Sequence, residues 1–449
     1  MVTARRKLGL GLWMNGAFVG TWSASSSGVE TLQYDLGWTQ SEQGRALSLS
    51  LPFTPGNLPH KGDKVRFYFE NLLPDSKEIR ERVARRFRTN STDAFDLLTE
   101  VGRDCVGALQ IFNIGDAPAG LPLITAKALS NAEVAKVLRA VTAPAGMQSA
   151  EDAEEFRISI AGAQEKTALL YLDGQWCLPQ GATPTSHIFK LPMGLIGGMM
   201  FDMRHSVENE WLCSLIVRAY GLPVARCEPL QFEDTKVLSV ERFDRVWWTS
   251  PAGVRSLIRL PQEDMCQATG TPGLRKYQSD GGPGIEQIMK LLETSMDPLG
   301  NQRIFFQAQI IFWMLRAVDG HAKNFSLFLR PGGAYELTPL YDVLSACPIM
   351  GHASGKLSPF KAKMAMAVRS ANAHYVMRNI LRRHWLVVGK RHGIRAADGQ
   401  NWEVVVDDLV ARTPAVIASV SALLPPDFPA EVADPIFAGL RESARQLAI

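Results

Sequence analysis

The sequence predicts an α+β chain, rich in strands through its first half and helical from about residue 255 onward. Three observations carry this. Two β-type runs, residues 8–14 and 17–22, flank Asn15-Gly16, a pair that favours a tight type I′ hairpin. Short β-type runs recur at 156–160, 167–172, 187–191 and 237–243. Beyond them, residues 285–292 and 305–318 carry helical patterns, and the second is apolar nearly all round, so it belongs in a core.

Arg5, Arg6 and Lys7 precede an apolar stretch and superficially resemble a secretory leader. Leu8, Leu10 and Leu12 alternate with Gly9, Gly11 and Trp13, however, and Asn15-Gly16 interrupts the run, so a strand is the better reading. The segment Phe69-Glu-Asn-Leu-Leu-Pro-Asp75 leads into a charged helix at 76–87. A second helix, 92–101, is capped by Ser91, Thr92 or Asp93. Residues 116–122 hold Pro, Gly and Ala and read as a linker. Residues 206–220 form a helix stopped by Gly221. The expected division is 1–120, an α+β subdomain; 121–245, a β-rich part; and 246–449, an all-α part.

The length of 449 residues suits about three structural units at roughly 150 residues each. A hydrophobic fraction of 46% and a charged fraction of 21% are those of a globular chain, which excludes wholesale disorder. The net charge of +3 gives no polyelectrolyte signal for nucleic acid over the whole chain. Six cysteines without C-x-x-C or zinc-finger spacing read as reduced thiols of a cytoplasmic protein. No run of 18 apolar residues is present, so no transmembrane helix and no membrane partner are expected.

The chemistry concentrates in Asp319-Gly-His-Ala-Lys-Asn324, at the end of the apolar helix. Taken alone, this is also how a helix ends, with Gly320 as the stop. Protein-kinase catalytic loops use the same Asp-to-Asn spacing, the Asp taking a hydroxyl proton and the Asn holding Mg²⁺. Two strand-like runs, 325–330 and 335–340, follow around Pro331-Gly332-Gly333 and end at Tyr341-Asp342. A hairpin returns the chain to its start, so Asp342 should lie near Asn324, where two oxygen ligands can share one hard cation. Lys190 ends a strand ahead of a helix that carries Glu208 and Glu210; either glutamate could orient it, and Glu210 is favoured. Residues 161–166 lie between two strands and match neither a Walker A nor a G-x-G-x-x-G loop. Residues 240–243 would be the segment joining two lobes, where backbone groups of Glu241, Arg242 and Phe243 could pair with an adenine.

With these residues assembled the sequence resembles the HipA family, serine/threonine-protein kinase toxins of bacterial type II toxin–antitoxin systems. The resemblance runs through Leu12-Trp-Met-Asn-Gly16, Phe69–Asp75, Gly102-Arg-Asp-Cys-Val-Gly107, Phe156–Lys166, His187-Ile-Phe-Lys190, Val240–Arg245, Gln262–Gln267, Asp319–Ser326 and Tyr341-Asp342. It implies a bilobal, protein-kinase-like fold with ATP and Mg²⁺ as cofactors. Asp319 is then the catalytic aspartate, and Asn324 and Asp342 the Mg²⁺ ligands. Lys190 is the nucleotide lysine, and Ala161, Gly162, Ala163, Gln164, Glu165 and Lys166 form the phosphate loop. Glu241, Arg242 and Phe243 fall in the hinge, while His321, Lys323 and Tyr341 lie near the nucleotide. Ser159 matches the serine that family members autophosphorylate; a phosphate there, carrying about −1.5 to −2 charges, would repel ATP or pull the loop away.

The resemblance also implies a helix-turn-helix antitoxin dimer, like HipB, as a partner. Operator DNA follows within that complex, and an aminoacyl-tRNA synthetase such as the glutamyl enzyme is the implied substrate. Arg378, Arg382 and Arg383, with Lys390, Arg391 and Arg395, form the basic cluster that would meet DNA phosphates. Two other readings stay open: a kinase of a small molecule or lipid, and a catalytically silent co-repressor.

Overall fold

The computed structural model describes residues 8–25, 27–118, 124–142, 164–197 and 201–449. The strand expected at 156–160, Ser159, and Ala161, Gly162 and Ala163 lie outside the described residues. Two compact units emerge. The first comprises Met1–Leu191, Leu230–Leu274 and Leu327–Tyr335, and the second Pro192–Pro229, Arg275–Ser326 and Glu336–Ile449. The helix expected at 206–220 falls in the second unit.

In the first unit the opening hairpin forms as its turn residues dictate. Leu8–Met14 pairs antiparallel with Ala17–Ala24, and Asn15 and Gly16 take φ of 48° and 85°, the left-handed pair a type I′ turn needs. These strands belong to a five-stranded sheet in the order His60–Lys61, Glu30–Tyr34, Ala17–Ala24, Leu8–Met14, Leu109–Asn113. Its inward side chains Leu10, Leu12, Val19, Trp22 and Leu32 meet Val65 and Phe69 of one helix and Leu98 of another. Trp22 stacks on Phe69 with ring centroids 3.7 Å apart. The charged helix runs Lys77–Phe87 and starts where the Ser76 hydroxyl accepts from the Ile79 amide at 3.3 Å.

A six-stranded sheet follows, in the order Cys227–Phe232, Thr235–Glu241, His187–Lys190, Lys166–Leu172, Gln175–Pro179, Ala126–Ala128. One face packs Leu169, Phe189 and Val237 against Val134 and Leu138 of the helix Asn131–Thr142. The strand that ends in Lys190 is therefore an inner strand, held by ladders on both edges.

A buried charge network ties distant segments of this unit together. Asp104 receives Arg242 at 3.2 Å, Arg245 at 2.9 Å and Arg259 at 3.0 Å. Asp244 receives Arg242 at 2.8 Å and Arg245 at 2.9 Å. Thr185 donates its hydroxyl to Asp104 at 2.7 Å, and the Gly107 amide donates to Asp244 at 2.7 Å. Burial alone would raise both acids, but the guanidiniums of Arg245, Arg242 and Arg259 overcome it at Asp104, and those of Arg242 and Arg245 at Asp244; both carboxyls are held below their ordinary range. The same burial pushes the neighbouring Cys105 thiol up to about 12, so it stays protonated.

The second unit is built on the helix Pro298–Met314, in which Phe305, Phe306, Ile310, Ile311 and Trp313 are all buried. The apolar pattern predicted 305–318. The helix instead starts two turns earlier, where the Asp297 carboxylate accepts from the Gly300 amide at 3.0 Å and Pro298 takes the first position. The unit's other helices are Ser206–Ala219, Ile285–Leu292, Arg382–Arg391, Trp402–Ser421 and Ala430–Ala448, of which Ile285–Leu292, Trp402–Ser421 and Ala430–Ala448 lie against it. The helical unit also carries a ribbon, Lys363–Arg369 paired with Ala373–Val376, which an all-helical expectation omits. No helix among the described residues is long and apolar enough to cross a membrane. All six cysteines are free thiols.

Candidate active site

The residues singled out by the sequence fall into two groups, one in each unit. In the first unit, antiparallel register places Leu238 opposite Lys190 and Lys190 opposite Lys166. Directly opposed residues share a face, so the two lysines stand side by side, on the face away from Phe189 and Leu169. Lys190 is buried.

The residues before Lys166 are tied down rather than loose. Gln164 donates its side-chain amide to the Leu191 carbonyl at 2.5 Å, and the Leu191 amide donates to the Glu165 carbonyl at 3.2 Å. The Glu165 carboxylate meets Arg82 of the charged helix at 2.7 Å, and Arg82 also donates to the Val141 carbonyl at 3.1 Å. Gln164 and Glu165 thus anchor the end of the expected phosphate loop.

The three hinge residues differ. The Arg242 amide donates to the Ser186 carbonyl at 2.9 Å, and its guanidinium lies in the buried network. Hydrogen bonding alternates along an antiparallel pair, so the backbone groups of Glu241 point away from that neighbouring strand. Glu241 is exposed, and Phe243 is half-buried with its ring edge-on to Phe328 at 5.9 Å. His187, opposite Glu241, is neutral: burial pushes its imidazole down to about 4.

In the second unit the loop after the apolar helix brings Asp319, Asn324 and Asp342 together through main-chain contacts. The Asn324 side-chain amide donates to the Asp319 carbonyl at 3.1 Å and to the Asp342 carbonyl at 3.3 Å. Both bonds use the amide nitrogen, so the side chain's acceptor, Oδ1, is not spent on them. Asp342 itself sits at φ of 60°, a left-handed conformation that costs a non-glycine residue about 1–3 kcal/mol and is found where a side chain must be aimed. Tyr341 donates its hydroxyl to the Lys323 carbonyl at 2.7 Å and shares a hydrogen bond with Ser326, tying the loop to the base of the hairpin. His321, Lys323 and Asn324 are buried, whereas the Asp319 side chain is 57% exposed.

The packing behind this loop explains its sequence. A Cβ on Gly320 would lie 2.4 Å from the Phe312 ring, so only glycine lets the chain turn against the helix here. Ser345, three residues beyond Asp342, donates its hydroxyl to the Leu315 carbonyl at 2.5 Å. Asn209 clasps the Ser345 backbone from the helix Ser206–Ala219, donating at 2.8 Å and accepting at 2.9 Å. Glu208 and Glu210 are buried on the first turns of the same helix.

One residue escaped the sequence reading. Tyr277 donates its hydroxyl to Oδ1 of Asp319, and its ring meets His321 edge-on at 5.1 Å. It lies 42 residues before the aspartate, in a loop without motif spacing.

The basic cluster divides. Arg382 donates to the Leu447 carbonyl at 2.8 Å and pairs with Asp407 at 2.7 Å, so its guanidinium serves the fold. Arg391 pairs with Glu286 and donates to the Ser370 carbonyl at 3.0 Å. Arg378 lies over the exposed Phe360 ring at 4.3 Å, and Arg378, Arg383 and Lys390 are exposed.

The chain matches two family descriptions: the HipA N-terminal domain over residues 10–112 and the HipA-like C-terminal domain over residues 158–417. Y4mE of Sinorhizobium fredii, which is named as a kinase, is 31% identical over 422 residues, covering 92% of this chain and 89% of its own length. The serine/threonine-protein kinase toxin HipA of Shewanella oneidensis is 24% identical over 348 residues, covering 75% of this chain and 73% of its own. The solved structure of Shewanella oneidensis HipA with HipB and operator DNA superposes with a TM-score of 0.77 at 22% identity, covering 98% of each chain. That likeness establishes a shared fold.

Proposed function

The chain belongs to the HipA family of serine/threonine-protein kinase toxins, and from that premise we propose that it transfers the γ-phosphate of ATP to a serine hydroxyl of a protein. The observation that carries the reading is the Asn324 side-chain amide bridging the main-chain carbonyls of Asp319 and Asp342, which draws these three residues onto one loop pair. Hard oxygen donors in small number suit Mg²⁺, which keeps waters and phosphate oxygens for its remaining positions. When bound, Mg²⁺ and ATP supply the charge neutralisation and the phosphoryl group.

The remaining roles fall to this chain's own residues. Asp319 accepts the proton of the serine hydroxyl and orients its oxygen. Asn324 and Asp342 hold the cation. Lys190, with Lys166 beside it, neutralises phosphate oxygens. Glu241 and Phe243 flank the adenine, and Arg242 supports them from the buried network. Ser159 is the proposed autophosphorylation site, on the family resemblance given above, and the charge argument makes its phosphate inhibitory. Free thiols throughout favour a cytoplasmic setting.

The test is transfer from γ-labelled ATP in a bacterial lysate. Label is expected on protein serine, with an aminoacyl-tRNA synthetase of the glutamyl type as the first candidate acceptor, and on Ser159 by mass spectrometry. Lys190→Met is expected to lower the rate about 10²-fold, the usual cost of deleting one preorganised charge on a transferring group. Label in lipid or small molecules alone, or an unaffected Lys190→Met variant, would overturn the assignment.

A helix-turn-helix antitoxin dimer and operator DNA are the proposed partners. The Shewanella oneidensis neighbour, solved with HipB and operator DNA, supports them. Arg378 and Arg383 are the DNA-facing candidates because they are exposed, whereas Arg382 is spent on Leu447 and Asp407. In a mobility-shift assay with cognate antitoxin and operator, the paired Arg378→Glu and Arg383→Glu changes should weaken the ternary complex and flatten its salt dependence. An unchanged shift and salt slope would remove these residues from the DNA interface.

A further inference from the structure

We infer that Tyr277 is a positioning residue for Asp319, acting through its phenol hydroxyl on the aspartate's Oδ1. The inference deepens the reading of Asp319 as proton acceptor and rests on it. More than half of the Asp319 side chain is exposed, and His321 Nε2, 3.8 Å from the same Oδ1, lies beyond hydrogen-bond reach, so the Tyr277 hydroxyl is the donor placed to fix the plane of its carboxylate. A carboxylate has two oxygens, each with two acceptor positions. A donor held on Oδ1 sets that plane and leaves Oδ2 for the hydroxyl of the acceptor serine.

The donor is itself held. The Tyr277 ring stands edge-on to the buried His321 ring, with planes 87° apart. Its carbonyl accepts from the amides of Asp280 and Gly282, both at 3.0 Å. On one side, the Lys276 carbonyl accepts from the Ala322 amide at 3.2 Å, which joins this loop to the catalytic loop itself. On the other, the Gln278 side chain accepts from the Ala367 amide at 2.7 Å, which joins it to the ribbon Lys363–Arg369. A Cβ on Gly282 would lie 2.1 Å from the Arg275 carbonyl oxygen, so the loop closes on itself more tightly than any other residue allows. These anchors decide between two roles for a hydroxyl on a catalytic carboxylate. A tyrosine that stood in for the substrate and swung away would need a mobile loop; this one is pinned at four points and acts as a strut.

The test compares Tyr277→Phe, Asp319→Asn and the unaltered chain for the initial rate of label transfer from γ-labelled ATP to lysate protein, across ATP concentrations. Tyr277→Phe removes one oxygen and keeps the ring against His321, so the thermal midpoint should stay within the error of the unaltered chain. Its rate at saturating ATP should fall about ten- to a hundredfold, the scale on which small misplacement of a reacting group acts. The ATP concentration for half-maximal rate should not move, which a general loosening of the fold would not produce. A Tyr277→Phe rate equal to or above that of the unaltered chain, with Asp319→Asn inactive, overturns the strut and makes Tyr277 idle or obstructive. A loss that instead follows ATP affinity or the thermal midpoint overturns it as well. Full activity of Asp319→Asn would separately strike down the underlying assignment of the proton acceptor.

Discussion

Asp319→Asn is expected to keep the fold and to lower phosphate transfer by about 10²–10⁴-fold. Asparagine matches aspartate in shape, and its Oδ1 can still accept the Tyr277 hydroxyl. The backbone carbonyl that Asn324 uses is also untouched, since that bond runs to the main chain of residue 319 and not to its side chain. What the substitution removes is the ability to take a proton and the negative charge beside the attacking oxygen. Because the side chain is largely exposed, little packing energy is at stake, and thermal unfolding should be unchanged. The measurement is the initial rate of γ-label transfer at saturating ATP, with the thermal midpoint as control. A variant as active as the unaltered chain would show that another group accepts the proton, whatever the likeness of the loop to kinase sequences.

The parts of this site that could be read from the sequence are those whose chemistry is local. Asp319 and Asn324 lie on one loop, and Asp342 returns to them because a two-stranded ribbon must come back to where it began. The same logic made the Asn15-Gly16 hairpin legible, since the turn residues alone demand left-handed backbone. Tyr277 was not legible, because a side chain that reaches an aspartate from a loop far upstream leaves no spacing to detect. The helix at Pro298–Met314 was found only in its apolar half. Its first turns bury Asn301 and Gln302, which bond to Ser295 and to the Met289 carbonyl, and buried polar residues look like surface in a pattern of hydrophobicity. Arg382 shows the converse error: a basic residue in a basic run reads as a phosphate ligand until its partners Leu447 and Asp407 are seen.

Arg242 leads to the largest expected effect on stability. The sequence places it in the hinge, beside a nucleotide; the structure buries it with Asp104, Asp244, Arg245 and Arg259, residues contributed by three stretches of chain. Asp104→Ala should destabilise the first unit by about 3–5 kcal/mol, the cost of breaking a buried charge pair from one side. Asp104 accepts from three guanidiniums, so its loss leaves Asp244 as the one carboxylate among three buried cations in the network. The measurement is urea unfolding followed by tryptophan fluorescence, with Trp22 in the core of that unit as an internal reporter. The pH dependence follows from the direction of the shifts. Both acids are held below their ordinary range when folded, so their contribution is complete above the unfolded carboxylate value of about 3.9 and drains away as pH falls toward the depressed folded values. The unaltered chain should therefore lose stability steeply below about pH 4, and Asp104→Ala should lose less over the same interval because half of the titrating pair is already gone. A loss under about 1 kcal/mol at neutral pH would mean that water enters and solvates the arginines, and that the network does not clamp the three stretches of chain together.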